Sequence, residues 1–352
     1  MKILTLAFII LFVGLSASGQ NNLLTGTYRN SQGSEIIVGD FSGGLGIMVP
    51  GNTKFVALIK MADGWYANPY LGIMCMADEN NNLLFGFSSS GTTDLYVRYD
   101  EKKEKAKAAF ERGKKYASQG KYCDAAEQFE QAYHYEENSG NSDPADLRFL
   151  SDNAGINYSS CGNPDKTIEW TKMTISYLEK ELENNAGSDV QYSLAGCYLR
   201  LAQVYAGNAE TRGNLELALK FSEKGIELVN EFPDSKQKHY MRAQLNLELG
   251  MLYGNGKNDY QTAIQYYEEA KKDAEELDGE QHDAMYGYIM SGQSMLYSLM
   301  GDMQKSIGCS LQLVGFLRNH KSDMSYLCSS LTSLASSYSK IGDFINSKKY
   351  HY

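Results

Sequence analysis

The spacing of apolar positions changes character near residue 100, and the chain divides there into two parts with different expected folds. From 21 to about 100, short runs of alternating or continuous apolar residues recur at intervals of about ten: 25–29, 35–38, 45–49, 55–60, 71–76, 83–87 and 95–99. Turn formers separate them, among them Asn30-Ser31-Gln32-Gly33, Pro50-Gly51-Asn52, Asp63-Gly64 and the stretch 78–82. Runs of this kind predict seven short antiparallel strands that close into a small barrel or sandwich. From Glu101 the small and apolar residues follow a helical spacing instead, as in Gly113-x2-Tyr116-x3-Gly120-x-Tyr122-x2-Ala125-x3-Phe129-x2-Ala132.

Each position in that second pattern has a mechanical role in a helical hairpin. Small residues at Gly113, Ala125 and Ala132 let two helices approach, Tyr116 and Phe129 fill the wedge between them, and Gly120 supplies the positive φ of the turn. The pattern recurs from Gly155-x2-Tyr158-x3-Gly162, Leu201-Ala202-x2-Tyr205, Leu249-Gly250-x2-Tyr253, Tyr297-x3-Gly301 and Leu334-Ala335-x2-Tyr338-x3-Gly342. It resembles the tetratricopeptide repeat. Counted from 113, 155, 202, 250, 294 and 335, the spacings are 42, 47, 48, 44 and 41 residues, longer than the roughly 34 of the standard repeat and similar to the longer variety found in kinesin light chains and bacterial signalling proteins. The sequence departs from the pattern at Thr167, Thr171 and Thr174 and at Ser294 and Ser306, so the second and fifth hairpins are expected to pack less tightly.

The expected fold class is therefore α+β and multidomain: a β domain over 20–100 and an all-α solenoid of about six hairpins over 101–352, the last one incomplete at Tyr352. Composition agrees, since 21 of 26 Tyr but only three of five Pro lie after residue 100. Tyr116, Tyr158, Tyr205, Tyr253, Tyr297 and Tyr338 take one equivalent place in six hairpins, which favours core packing over a ligand box. Ahead of the β domain, Lys2, the apolar run 3–15 and the small residues 16–19 read as a cleaved export signal, with the mature chain beginning at Gln20 and a retained anchor as the alternative. The protein is then expected to be periplasmic or secreted, with no integral span once the signal is removed.

A net charge of -10, spread along the chain, argues against a nucleic-acid partner. Export would permit disulfides among the six Cys, but their wide spacing favours buried free thiols, and Cys123 with Cys161 is the pairing least at odds with it. His134, His239, His282, His320 and His351 show no metal-ligand spacing and lie in polar stretches read as surface. No nucleophile elbow, Walker loop or Cys/His signature appears, so neither an enzyme nor a cofactor is expected. Gly43, Gly44 and Gly46 read as turn glycines, and Trp65, Tyr66 and Tyr70 as a plug of the barrel rather than a grip on a small ligand, a role for which nothing else in the β domain speaks.

The resemblance implies a protein or peptide partner held in the concave groove lined by the first helix of each hairpin. Carried over by offset, the groove positions are Lys107, Phe110, Lys114, Asp152, Arg200, Gln203, Leu247, Met251, Ser291 and Met295. The Asn partners that a terminal-carboxylate clamp needs beside Lys107 and Lys114 are missing, which favours a mixed groove for an extended or helical segment. The expected function is an exported scaffold. The alternative is the regulatory part of a larger signalling protein or caspase-like protease with its effector beyond Tyr352.

Overall fold

The computed structural model describes residues 26–41, 44–49, 54–61, 65–77, 83–87, 93–139, 142–183, 187–207, 213–319 and 324–351. The expected signal segment, Gly43 and His320 lie outside the described residues. The chain packs as two compact units, Met1–Glu104 and Lys105–Tyr352.

The first unit is an eight-stranded antiparallel barrel: β1 (Gly26–Arg29), β2 (Glu35–Phe41), β3 (Gly44–Met48), β4 (Val56–Lys60), β5 (Tyr66–Asn68), β6 (Ile73–Ala77), β7 (Leu83–Phe87) and β8 (Thr93–Tyr99). Each strand pairs with the next, and β1 closes the barrel on β8 with Thr27 opposite Tyr99. Alternation places Ile36 and Val38, Leu45 and Ile47, Ile73 and Cys75, and Leu83 and Phe85 inside, with Tyr28 and Leu58. The turn after β1 is built as its sequence suggests. Asn30 Oδ1 accepts from the backbone N–H groups of Gln32 (3.0 Å) and Ser34 (2.8 Å), and Gly33 sits at φ +80°.

Two expectations for this unit are corrected. The described residues form eight strands rather than seven; β5, the additional one, is three half-buried residues, Tyr66-Ala67-Asn68, too short to show an alternation. Gly44 belongs to β3 rather than to a turn, and Gly46, inside the expected run 45–49, is a strand residue that pairs with Gly39 of β2. A Cβ at Gly46 would stand 2.6 Å from the Phe41 side chain, and one at Gly39 would stand 3.2 Å from the Phe55 ring. The two glycines thus form a bare patch of backbone covered by Phe41 and Phe55, which stack at 6.4 Å.

The second unit is a tetratricopeptide-like solenoid. Its helices are α1 (Glu101–Ser118), α2 (Tyr122–Glu137), α3 (Pro144–Ser160), α4 (Pro164–Glu183), α5 (Ser188–Gly207), α6 (Gly213–Asn230), α7 (Lys236–Met251), α8 (Tyr260–Glu275), α9 (Gly279–Leu299), α10 (Met303–Asn319), α11 (Met324–Lys340) and α12 (Phe344–His351). Capping follows the sequence: Asp143 accepts from Ala145 N–H ahead of Pro144 at the first helical turn, and Ser235 accepts from Lys238 N–H. The extra length per repeat goes into helices, with α4 and α5 of 20 residues and α9 of 21.

In four hairpins the repeat tyrosine sets the register of the turn. Gly120, Gly162, Gly301 and Gly342, four residues beyond Tyr116, Tyr158, Tyr297 and Tyr338, have φ between +72° and +79°. The next residue donates its N–H back to the tyrosine carbonyl at 2.9–3.0 Å, as the αL helix ending requires. In the fourth hairpin the count is one longer. Asn258 takes the positive φ (57°), and Asp259 N–H reaches the Tyr253 carbonyl at 2.9 Å. The additional residue is absorbed by a π-helical segment, Leu252–Gly256, that continues α7.

Packing bears out the role of Gly113: an added Cβ would come 2.8 Å from the ring of Phe129, itself 1% exposed. Gly113→Ala is therefore expected to cost about 1–3 kcal/mol, because neither helix can back away without opening the core; a shift in the urea midpoint with unchanged slope would report it. The two hairpins with departures from the pattern differ. In the second, Thr167 donates to the Asn163 carbonyl (2.7 Å), Thr174 to Ser151 Oγ (3.0 Å), and Thr171 accepts from Arg200 (3.4 Å), so the hydroxyls are satisfied and the three threonines are at most 1% exposed. Around the fifth, a cleft of about 400 Å³ opens between α9, α10 and α11, walled by serines that include Ser294 and Ser306.

Candidate partner-binding face

The first helices of successive hairpins place the sequence-derived groove positions as follows. On α1, Lys107 and Lys114 are exposed and Phe110 is half-buried. Phe110 meets two rings at 5.6 Å, Phe129 of its own hairpin and Phe149 of α3, and Lys114 Nζ stands 5.3 Å above its centroid. Lys114 also pairs with Glu111 at 3.2 Å. Phe149 is 50% exposed and lies on the same helix face as Asp152, three residues on. A cationic and aromatic patch thus bridges the first two hairpins.

The second bridge is ionic. Arg200 of α5 extends to α3 and α4, where Nη2 donates to Asp152 Oδ1 at 3.0 Å and Nη1 to Thr171 Oγ1 at 3.4 Å. Gly155 makes room, since a Cβ there would lie 3.2 Å from Arg200 Nη1. Asp152 and Arg200 are therefore engaged with each other across the face. Gln203, one turn further on α5, is exposed.

Leu247 and Met251 of α7 are half-buried and pack into the core, Leu247 joining two of its clusters. Ser291 and Met295 of α9 are exposed and line the serine-walled cleft, with Met295 at 45%. Tyr288, three residues before Ser291, is 57% exposed and extends the same stripe toward the start of the helix. The repeat offsets miss Phe149 and Tyr288 because they mark only one position on α3 and two on α9. A helical wheel drawn through Asp152 or Ser291 would have picked up both, since i and i−3 share a face.

Other chemistry is sparse. No group of three or more His, Cys, Asp or Glu among the described residues could hold a metal ion. His239 departs from the surface expectation: its side chain is 15% exposed, and Nδ1 lies 2.8 Å from Asp273 Oδ1, a carboxylate also held by Arg242. Polar flanking sequence hid it, because its partners lie on the neighbouring helix α8. Of the barrel aromatics, Tyr66 packs against the core while Tyr70 is 82% exposed.

Hairpin follows hairpin, and four of the turns close in one register. The helical unit has the tetratricopeptide-type fold. No family model matches the chain, and no curated protein matches it. Among solved structures it is similar to BtubC (BKLC) from P. vanneervenii, at 18% identity and a TM-score of 0.49 over 71% of this chain and 88% of that one. It is similar to a putative kinesin light chain from Podosopora anserina with nearly identical TPR-like repeats, at 18% identity and a TM-score of 0.45 over 59% and 92% of the chains. A third is NprR in complex with its cognate peptide NprX, at 12% identity and a TM-score of 0.48 over 70% and 65%. Among the described residues, no helix is long and apolar enough to cross a membrane.

Proposed function

We propose that the protein is an exported, non-enzymatic scaffold that holds an extended or helical segment of a partner protein on the face of its first helices. The observation that carries this reading is the patch of Lys107, Phe110, Lys114 and Phe149. An aromatic that stays half exposed in a well-packed array is an anchor for a partner's apolar side chain, and two flanking ammonium groups favour acidic residues beside that anchor. The Asp152–Arg200 pair is a further polar contact that a segment running along the face can engage. Export rests on the first 19 residues: a positive start, an apolar run too short for the roughly 20 residues of a span, and small residues at the cleavage point.

Selection of peptides on the purified full chain from a random library tests the face. Acidic peptides with a central aromatic or aliphatic residue are expected. Phe149→Asp combined with Lys114→Glu is expected to weaken the selected peptide by roughly tenfold or more while leaving the helical circular dichroism unchanged. Undiminished affinity in that variant would remove the patch from the binding surface. Export has its own readout, N-terminal sequencing of the protein from cell fractions, with Gln20 expected as the first residue and Met1 refuting cleavage.

A further inference from the structure

The six cysteines occupy different environments. Cys75 lies inside the barrel and Cys197 inside the solenoid, and burial pushes both thiols up to about 12. Cys309 on α10 is half-buried and Cys328 on α11 exposed. Cys123 and Cys161 are the two that meet. Cys123 stands exposed in the first turn of α2, Cys161 caps the C-terminus of α3 half-buried, and Cys123 Sγ contacts the Cys161 carbonyl oxygen at 3.9 Å. The Cys161 thiol is raised to about 11, first by burial and then by the Cys123 thiol beside it.

We propose that Cys123 and Cys161 form a disulfide on oxidation, a covalent staple between the first and second hairpins. A disulfide requires Cβ atoms about 3.5–4.5 Å apart. The Cys123 sulfur is in contact with the Cys161 main chain at 3.9 Å, and the two thiols lie close enough to hydrogen-bond with each other. The exposed Cys123 reacts first. Its thiolate attacks one sulfur of a low-molecular-weight disulfide such as oxidised glutathione, forming a mixed disulfide and releasing one glutathione thiolate. Cys161 then loses its proton to solvent and attacks the Cys123 sulfur, displacing the second glutathione thiolate. The protein loses two electrons and two protons, and the glutathione disulfide takes up both as two thiols. The staple ties the first turn of α2 to the end of α3 across 38 residues of chain. Its formation does not depend on what the first helices bind.

The test uses the full chain, exposed to oxidised glutathione at mildly alkaline pH, then acid-quenched, alkylated and digested for mass mapping. A linked peptide pair containing Cys123 and Cys161 is expected, with an intact mass lower by two hydrogens. A glutathione adduct on Cys123 should be transient in the parent chain, accumulate in Cys161→Ser and be absent from Cys123→Ser. The oxidised chain should melt roughly 5–10 °C above the reduced one, and Cys161→Ser should show no such gain. A persistent glutathione adduct in the parent chain, a link to any other cysteine, or an unchanged melting temperature on formation of the bond would each overturn the proposal. Mapping of the parent chain decides the pairing even if a serine variant folds poorly.

Discussion

Arg242→Ala is expected to destabilise the helical unit by about 3–5 kcal/mol, the cost of leaving a buried charge without its main partner. The charge is Asp273 on α8, which is 2% exposed. It accepts from Arg242 Nε at 2.8 Å and again from Nη2, and His239 Nδ1 lies 2.8 Å away on the same helix as Arg242. Removing the guanidinium leaves one ring nitrogen to stabilise a carboxylate that water does not reach. Replacing both partners with apolar residues, Arg242→Met with Asp273→Leu, should recover most of the loss, because it removes the desolvated charge altogether. Lys272→Ala is the control, since its pair with Glu269 is well exposed and belongs to the class of surface bridges worth under about 1 kcal/mol. Urea denaturation of the four chains gives the whole comparison. A loss at Arg242 no larger than that at Lys272 would mean that Asp273 is solvated.

The second large effect is a pH dependence. Glu248 on α7 is 4% exposed, and burial raises its carboxyl to about 7 from the ordinary 4.5. The folded chain therefore holds this proton at pH values where the unfolded chain has released it. Its contribution to stability is fully present below about pH 4.5, falls as the pH climbs toward 7, and is lost above that. The size is about 3 kcal/mol, at 1.36 kcal/mol for each unit between the two values. Glu248→Gln keeps the shape of the side chain and removes the titration. The difference in unfolding free energy between Glu248→Gln and the parent chain should shift by about that amount in favour of the glutamine between pH 5 and pH 8. A difference that stays constant would show Glu248 ionised in the fold throughout that range.

Sequence reading carried the solenoid further than the barrel, and the reason is physical. Gly113, Tyr116, Gly120 and Phe129 each answer a local demand of a helical hairpin, and that demand recurs, so six weak signals add. A strand such as Tyr66-Ala67-Asn68 is defined by its neighbours: Tyr66 lies opposite Cys75 and Lys60, and nothing within its three residues announces a ladder. Gly46 was misread for the same reason, since the ring that covers it belongs to Phe41 on the adjacent strand. At the face, offsets located Lys107, Phe110 and Lys114 on one side of α1. They could not show that Asp152 and Arg200, 48 residues apart, would be spent on each other. Contacts between repeats depend on how far each hairpin rotates on the last, and composition at a single position does not encode that rotation.

The π-helical segment at Leu252–Gly256 bears on how such an array changes length. One added residue in an α-helix turns everything on one side of it by about 100° relative to the other. Gly250, which lies against the ring of Tyr267, would then face away from α8. Widening the last turn instead confines the misfit to the five residues that end the helix and leaves everything before Leu252 in phase. Leu247 and Met251 keep their places against the core, and the hairpin still closes on the carbonyl of Tyr253. The segment acts as a backbone vernier: length is gained one residue at a time at the closing turn while the packing of the preceding helix keeps its alignment.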